Sequence, residues 1–189
     1  MLEARKDPDQ AQLALLDAAE ALFYTRGIQA VGMDEIRSHA GVSLKRLYAL
    51  YPSKEQLVVA FLQRRDRVWR GSLADHVHRS PEPRERLLAV FDWLHEWFSE
   101  PGFRGCAWVN AFGELGPQSP AVMAEVRAHQ NALRSFLADL TRDAGLTEAL
   151  GAQLYLLVEG AMVTAAMMAT PESATAAKSA AQVLISGAV

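Results

Sequence analysis

Breakers and apolar spacing divide this chain into helices. Glycine, proline and small hydroxyl residues recur at short intervals, and between them apolar residues fall three and four positions apart. That is the period of a helix with one buried stripe. Valine and isoleucine are scattered, and no apolar–polar alternation lasts long enough for a strand. Asp7 before Pro8 marks a first helix carrying Leu13, Leu16, Ala19, Leu22 and Phe23, stopped at Gly27. A short helix, Met33 to Ala40, has Gly32 as a weak cap and ends at Gly41. Ser43 caps another that runs to about Leu50, and Pro52-Ser53 breaks it. Ser53-x-x-Gln56 is a capping box for a long helix striped by Leu57, Phe61, Leu62, Val68, Trp69, Leu73 and Val77.

The pattern continues to the end of the chain. Ser80-Pro81 opens a helix with Leu87, Leu88, Phe91, Leu94, Trp97 and Phe98, and Pro101-Gly102 is a turn. A short helix spans Cys106 to Leu115, and Ser119-Pro120 caps one that reaches Ala144. Thr147 caps the next, to about Ala169, and Thr170-Pro171-Glu172 starts a last one ending at Gly187. These are nine helices with short connections, so the expected fold class is all-α.

Composition narrows the setting. The lone cysteine, Cys106, excludes an intrachain disulfide and fits a reducing cytosol. No run approaches about 18 uninterrupted apolar residues, so no membrane span is expected. Asp7, Asp9, Asp17 and Glu20 leave no apolar signal core, and the expected location is cytoplasmic. The net charge of −3 hides a division: residues 1–65 hold nine Lys/Arg against eight Asp/Glu, whereas residues 66–189 hold ten against fourteen. A near-neutral segment binds phosphates if its bases share a face.

Residues 32–51, GMDEIRSHAGVSLKRLYALY, place two short helices around Gly41-Val42-Ser43. Glycine supplies the positive φ that a tight helix–helix turn needs. Ile36, Ala40, Val42 and Leu47 can form a small core, covered by Leu13, Leu16 and Phe23 of the first helix. The second short helix then turns Lys45, Arg46, Ala49 and Leu44 outward. A helix so short is stable only when braced by neighbours. Braced, it can enter a major groove, where Lys or Arg reads guanine edges at about 1–3 kcal/mol of discrimination each. Tyr48, Tyr51 and Lys54 suit phosphate contacts. The alternative is a two-helix turn with an ordinary solvated basic face.

Residues 10–62 resemble the DNA-binding domain of the TetR family. The matching pieces are Ala18-Ala19-Glu20-x-Leu22-Phe23, Gly27, Asp34-Glu35-Ile36, Ala40-Gly41-Val42-Ser43 and Leu47-Tyr48-x-x-Tyr51-Pro52-Ser53-Lys54-Glu55-x-Leu57. The resemblance implies a helix-turn-helix domain over residues 1–53 and an effector-binding and dimerisation domain over residues 54–189. It implies a regulator, usually a repressor, that leaves a palindromic operator when a small molecule binds, with no enzymatic activity and no cofactor. Carried over by position, Ser43, Leu44, Lys45, Arg46, Tyr48, Tyr51 and Lys54 are the expected DNA contacts. The sequence departs from the family at Val31 and Gly32, where Thr or Ser is usual, and at Arg46, where a small residue is common.

The C-terminal half resembles the family in architecture. Leu154, Leu157, Val158, Ala161, Met162, Ala165 and Met168, then Ala176, Ala180, Val183 and Leu184, spread apolar surface over more than one stripe. A homodimer through the last two helices buries such surface, and the alternative is a monomeric core. Trp93, Trp97, Trp108, Phe112, Met123 and Met162 are candidates for an apolar effector pocket, with Tyr155 and Glu159 orienting the ligand. The alternative is that the aromatics are plain core. Ligand entry would move the long helix that starts at Ser53 and separate the recognition helices.

A competing class is a helical metal protein or enzyme. Asp92-x-x-His95 and Glu125-x-x-x-His129 each put a carboxylate and an imidazole on one helical face. The spacing of the second is wrong for a di-iron site, and solvated surface residues explain both more simply. Cys106 beside Arg104 and Gly105 reads as a buried thiol rather than a nucleophile.

Overall fold

The computed structural model describes residues 8–188. Among the described residues the chain forms nine α-helices and no strand. They are α1 (Pro8–Arg26), α2 (Met33–Ala40), α3 (Leu44–Leu50), α4 (Lys54–Val77) and α5 (Pro83–Phe98), then α6 (Ala107–Leu115), α7 (Pro120–Asp143), α8 (Glu148–Met168) and α9 (Glu172–Gly187). The expected start at Asp7 lies outside the described residues. The stops behave as the sequence indicates. Gly41 sits at φ 62°, where a side chain would be strained, and its N–H closes α2 onto the Arg37 and Ser38 carbonyls. Ser43 Oγ accepts from the Arg46 N–H at 3.3 Å, and Ser53 Oγ from the Gln56 N–H at 3.2 Å. The helix expected from Ser80 begins instead at Pro83, which occupies its first turn with Glu82 as the N-cap.

Two compact units share the nine helices. The first contains the described residues up to Arg65 together with Ala107–Val126. Helices α1, α2 and α3 pack on one another here. Leu15, Leu16, Ala19, Phe23, Ile36, Leu47, Leu57, Phe61 and Leu62 are buried, as is Trp108 on α6. Leu13 was expected to cover this core but is 55% exposed; Leu15 takes that role, because the inward stripe of α1 runs through positions 11, 15, 18 and 19. Arg64 pairs with Asp17 and Glu20, and Arg65 with Glu20, tying α4 to α1.

The second unit holds Asp66–Cys106 and the residues from Arg127 on. Helices α5, α8 and α9 pack against each other. Leu87, Phe91, Leu94, Leu133, Leu137, Leu154, Val158 and Met162 fill its interior. Val68, expected on the buried stripe of α4, is 68% exposed, while Trp69, Leu73 and Val77 are buried. Helix α8 has 21 residues and a mean hydropathy of 1.4 over its most apolar window. By length and composition it therefore meets the requirement of a membrane span, although its apolar residues are interrupted by Gln153, Glu159 and Thr164. Its inward face, from Leu150 to Ala165, is buried within this unit.

Candidate nucleic-acid interface

Helix α3 has a single buried residue, Leu47, with none of its surface exposed. Its other sides face out. Leu44 is 45% and Tyr48 47% exposed, Ser43, Lys45 and Ala49 are exposed, and Arg46 is half-buried. Val42 and Ala40 are buried beneath the turn. Leu44 and Tyr48 are large side chains that stand in water on this face. The outer face thus combines a cation, an aromatic hydroxyl and an aliphatic side chain, the groups that meet phosphates, base edges and thymine methyls. Gly32 caps α2 without a side-chain bond, and Val31 is fully buried, so the first-turn N–H groups of α2 have no hydroxyl competitor.

Two further expected contacts stand differently. Tyr51 ends α3 in an extended conformation, φ −134° and ψ 90°, and is only 5% exposed. Its hydroxyl is out of reach of solvent, so its expected role as a phosphate contact is corrected: the ring belongs to the core. Burial raises its pKa, with Gln12 and Arg64 acting the other way. Lys54 is half-buried, its Nζ 3.4 Å from the Gln29 carbonyl and 6.0 Å from the centre of the Phe23 ring. Burial lowers its pKa, and Glu114 opposes the shift. Glu114 lies on α6, in the same unit. Its carboxylate accepts from the Ile28 N–H at 3.0 Å and the Gln29 N–H at 2.7 Å.

The expected effector residues divide between the units. Trp108 (buried), Met123 (half-buried) and Phe112 (51% exposed) are in the first. The Phe112 ring and the Met123 sulfur crowd Gly116, where a Cβ would stand 2.8 and 3.1 Å from them. Trp93, Trp97, Tyr155, Glu159 and Met162 are in the second. Trp93 and Trp97 stack with centroids 5.5 Å apart, and both meet Trp69 edge-on, at 5.0 and 5.6 Å. Trp93 Nε1 donates to Ser72 Oγ at 3.0 Å. Phe103 closes on Trp97 at 5.0 Å. The Tyr155 hydroxyl donates to Gln130 Oε1 at 3.0 Å, and Gln130 Nε2 donates to Glu159 Oε2 at 3.2 Å. Burial raises the pKa of Glu159, and raises that of Tyr155. An open groove of about 360 Å³ runs between α7 and α8, lined by Asn131, Arg134, Glu148 and Tyr155 among others. Of the expected ligand residues only Tyr155 lines it.

The carboxylate–histidine pairs resolve separately. Asp92 is bound by Lys178 Nζ at 2.6 and 2.7 Å, and Glu125 accepts from Gln63 at 2.8 Å. His129 was expected at the surface but is 1% exposed, bonded through Nδ1 to Asp66 at 2.7 Å and facing Trp69 at 5.1 Å. Burial lowers its pKa, with Asp66 opposing. Among the described residues no three His, Cys, Asp or Glu side chains converge as a metal site.

A short outward-facing helix, braced by two others across a glycine turn, defines a helix-turn-helix protein. Comparison with known proteins makes this specific. Residues 15–61 match the bacterial regulatory proteins of the tetR family, and residues 83–181 match the tetracyclin repressor-like C-terminal domain. The chain belongs to the TetR family. The HTH-type transcriptional activator FasR of Mycolicibacterium smegmatis is 33% identical over 139 residues, 73% of this chain and 62% of FasR. An HTH-type transcriptional regulator of Mycobacterium tuberculosis is 32% identical over 125 residues, 63% of this chain and 61% of that protein. The chain therefore spans about three fifths of the length of these relatives. The crystal structure of a TetR-family transcriptional regulator from Streptomyces coelicolor superposes with a TM-score of 0.86 at 29% identity, covering 95% of this chain and 96% of that one.

Proposed function

We propose that this chain is a DNA-binding transcriptional regulator acting in the cytoplasm as a homodimer, with a helix-turn-helix domain in residues 1–53 and effector-binding and dimerisation functions in residues 54–189. The observation that carries the reading is the outer face of α3, where Ser43, Leu44, Lys45 and Tyr48 are exposed around a wholly buried Leu47. Arg46, half-buried on the same helix, is the base-reading residue, and Lys54 a phosphate contact. The exposed face of α8 supports the homodimer. Leu156, Val163 and Met167 are 68%, 38% and 78% exposed and lie at i, i+7 and i+11, on one stripe. Val183 on α9 is 73% exposed. Twofold pairing buries this surface and presents two copies of α3 to a palindrome.

The effector we propose is a small apolar or aromatic molecule, with Trp93, Trp97 and Met162 of the second unit supplying apolar contact and Tyr155 and Glu159 of the same unit polar contact. It releases a repressor by binding the DNA-free state more tightly, since a ligand shifts an equilibrium only by its differential affinity. The name of the M. smegmatis relative favours a second sign, activation at the operator. Selection of bound duplexes from a random pool tests the first step: a palindromic consensus is expected, and an unenriched pool refutes DNA reading. A reporter driven by the selected site then gives the sign.

A further inference from the structure

Glu114 stands on α6, outside the helix-turn-helix, yet its bonds are to the turn that leads into α2. Oε1 accepts from the Ile28 N–H at 3.0 Å and Oε2 from the Gln29 N–H at 2.7 Å. The Gln29 side-chain amide donates in return to the Glu114 backbone carbonyl. Gly27 makes the approach possible: it sits at φ 89°, and a Cβ there would stand 3.2 Å from Glu114 Oε2. The turn's own closure is slight, with a Val31 N–H to Ile28 carbonyl bond of 3.4 Å. The same carboxylate acts electrostatically on Lys54, whose ammonium reaches the Gln29 carbonyl at 3.4 Å. One side chain of α6 thus satisfies two backbone donors that no helix satisfies, and backs a cation at the DNA face.

We propose that Glu114 is a positioning residue for DNA recognition: it fixes the α1–α2 turn, and through it the placement of α2 and α3. The inference rests on the DNA-binding reading above. The chemistry is specific to a carboxylate. It offers one acceptor oxygen to each amide, whereas a glutamine amide offers one acceptor and turns a donor toward the second N–H.

The test compares the full chain with Glu114→Gln on the duplex selected above and on a random duplex, with amide hydrogen exchange measured in parallel. Exchange at Ile28 and Gln29 is expected to quicken about tenfold or more, with Leu47 unchanged. Affinity for the selected duplex is expected to fall about tenfold, as one charge-assisted bond is lost. Affinity for the random duplex is expected to fall less, because Glu114 is assigned no phosphate contact of its own and acts on that binding only through Lys54. Unaltered exchange, unaltered affinity, or an equal fall on both duplexes overturns the proposal. Should Glu114→Gln melt below the assay temperature, Glu114→Asp, too short to reach both amides, is read by the same criteria. A wild-type chain that binds no duplex overturns the DNA-binding reading and this inference together. A wild-type chain that binds while Glu114→Gln matches it overturns the inference alone.

Discussion

Replacing Leu47 by alanine asks whether α3 is held only from behind. The helix has seven residues, too few to persist alone in water, and Leu47 is its one buried anchor. Truncation removes three carbons from a site with no exposed surface. At ~0.8 kcal/mol per methylene the transfer loss is about 2.4 kcal/mol. The cavity left behind adds to this, giving ~3 kcal/mol, within the range for buried leucines. Against a typical total of about 5–15 kcal/mol the protein stays folded, with a much lower midpoint. Leu44, three positions earlier and 45% exposed, supplies the contrast. Leu44→Ala should cost less than ~1 kcal/mol in stability, yet remove apolar contact offered to DNA. Urea unfolding followed by circular dichroism gives the stability, and fluorescence anisotropy on the selected duplex gives the binding. A loss below ~1 kcal/mol for Leu47→Ala would refute the bracing argument, as would a larger cost at Leu44 than at Leu47.

Arg46→Ala should abolish the preference for selected over random duplex, a discrimination of about 1–3 kcal/mol, whereas Lys54→Ala should weaken both alike. Equal losses on both duplexes for Arg46→Ala would count against base reading. Val163→Glu puts a carboxylate into the exposed stripe of α8 and should convert the dimer to monomer in sedimentation velocity; an unchanged mass would remove that stripe from the interface. Burial holds the pKa of His129 below histidine's ordinary 6.5, with Asp66 only partly opposing. The unfolded chain therefore binds more protons between that lowered value and 6.5, so stability is complete above the window and declines as pH falls through it. His129→Phe should flatten this slope in urea unfolding, and an unchanged slope would place the linkage elsewhere.

The helices were legible because their punctuation is local. Gly41 at positive φ, the Ser43 and Ser53 caps and Pro83 in a first turn act within a few residues of themselves, so spacing alone reveals them. The Ser80-Pro81 start was misplaced for the same reason: two prolines compete within three positions, and the second captured the first turn. The outward face of α3 was legible too, because a seven-residue helix with one anchoring leucine has little choice of which side faces in. Tyr51 was not. It directly follows α3, and the extended φ and ψ that carry the chain toward Pro52 turn its ring inward rather than toward phosphate.

The polar groups of the interior were the least legible, for a physical reason. A charge or imidazole in a sequence reads as surface by default, because burying it alone is costly. Its burial becomes reasonable only once a partner far along the chain is known. His129 is buried because Asp66, 63 positions earlier, meets its Nδ1. Glu114 is half-buried because two backbone N–H groups more than 80 positions earlier meet its carboxylate. Both carboxylates lie on helices whose own apolar pattern points elsewhere, so no periodicity marks them. The same default kept Trp69 on a simple stripe, although three tryptophans on two helices, two of them four positions apart, already supply the surfaces for one cluster. Local chemistry shapes each helix, then, but the residues that join one helix to another are chosen by long-range pairing.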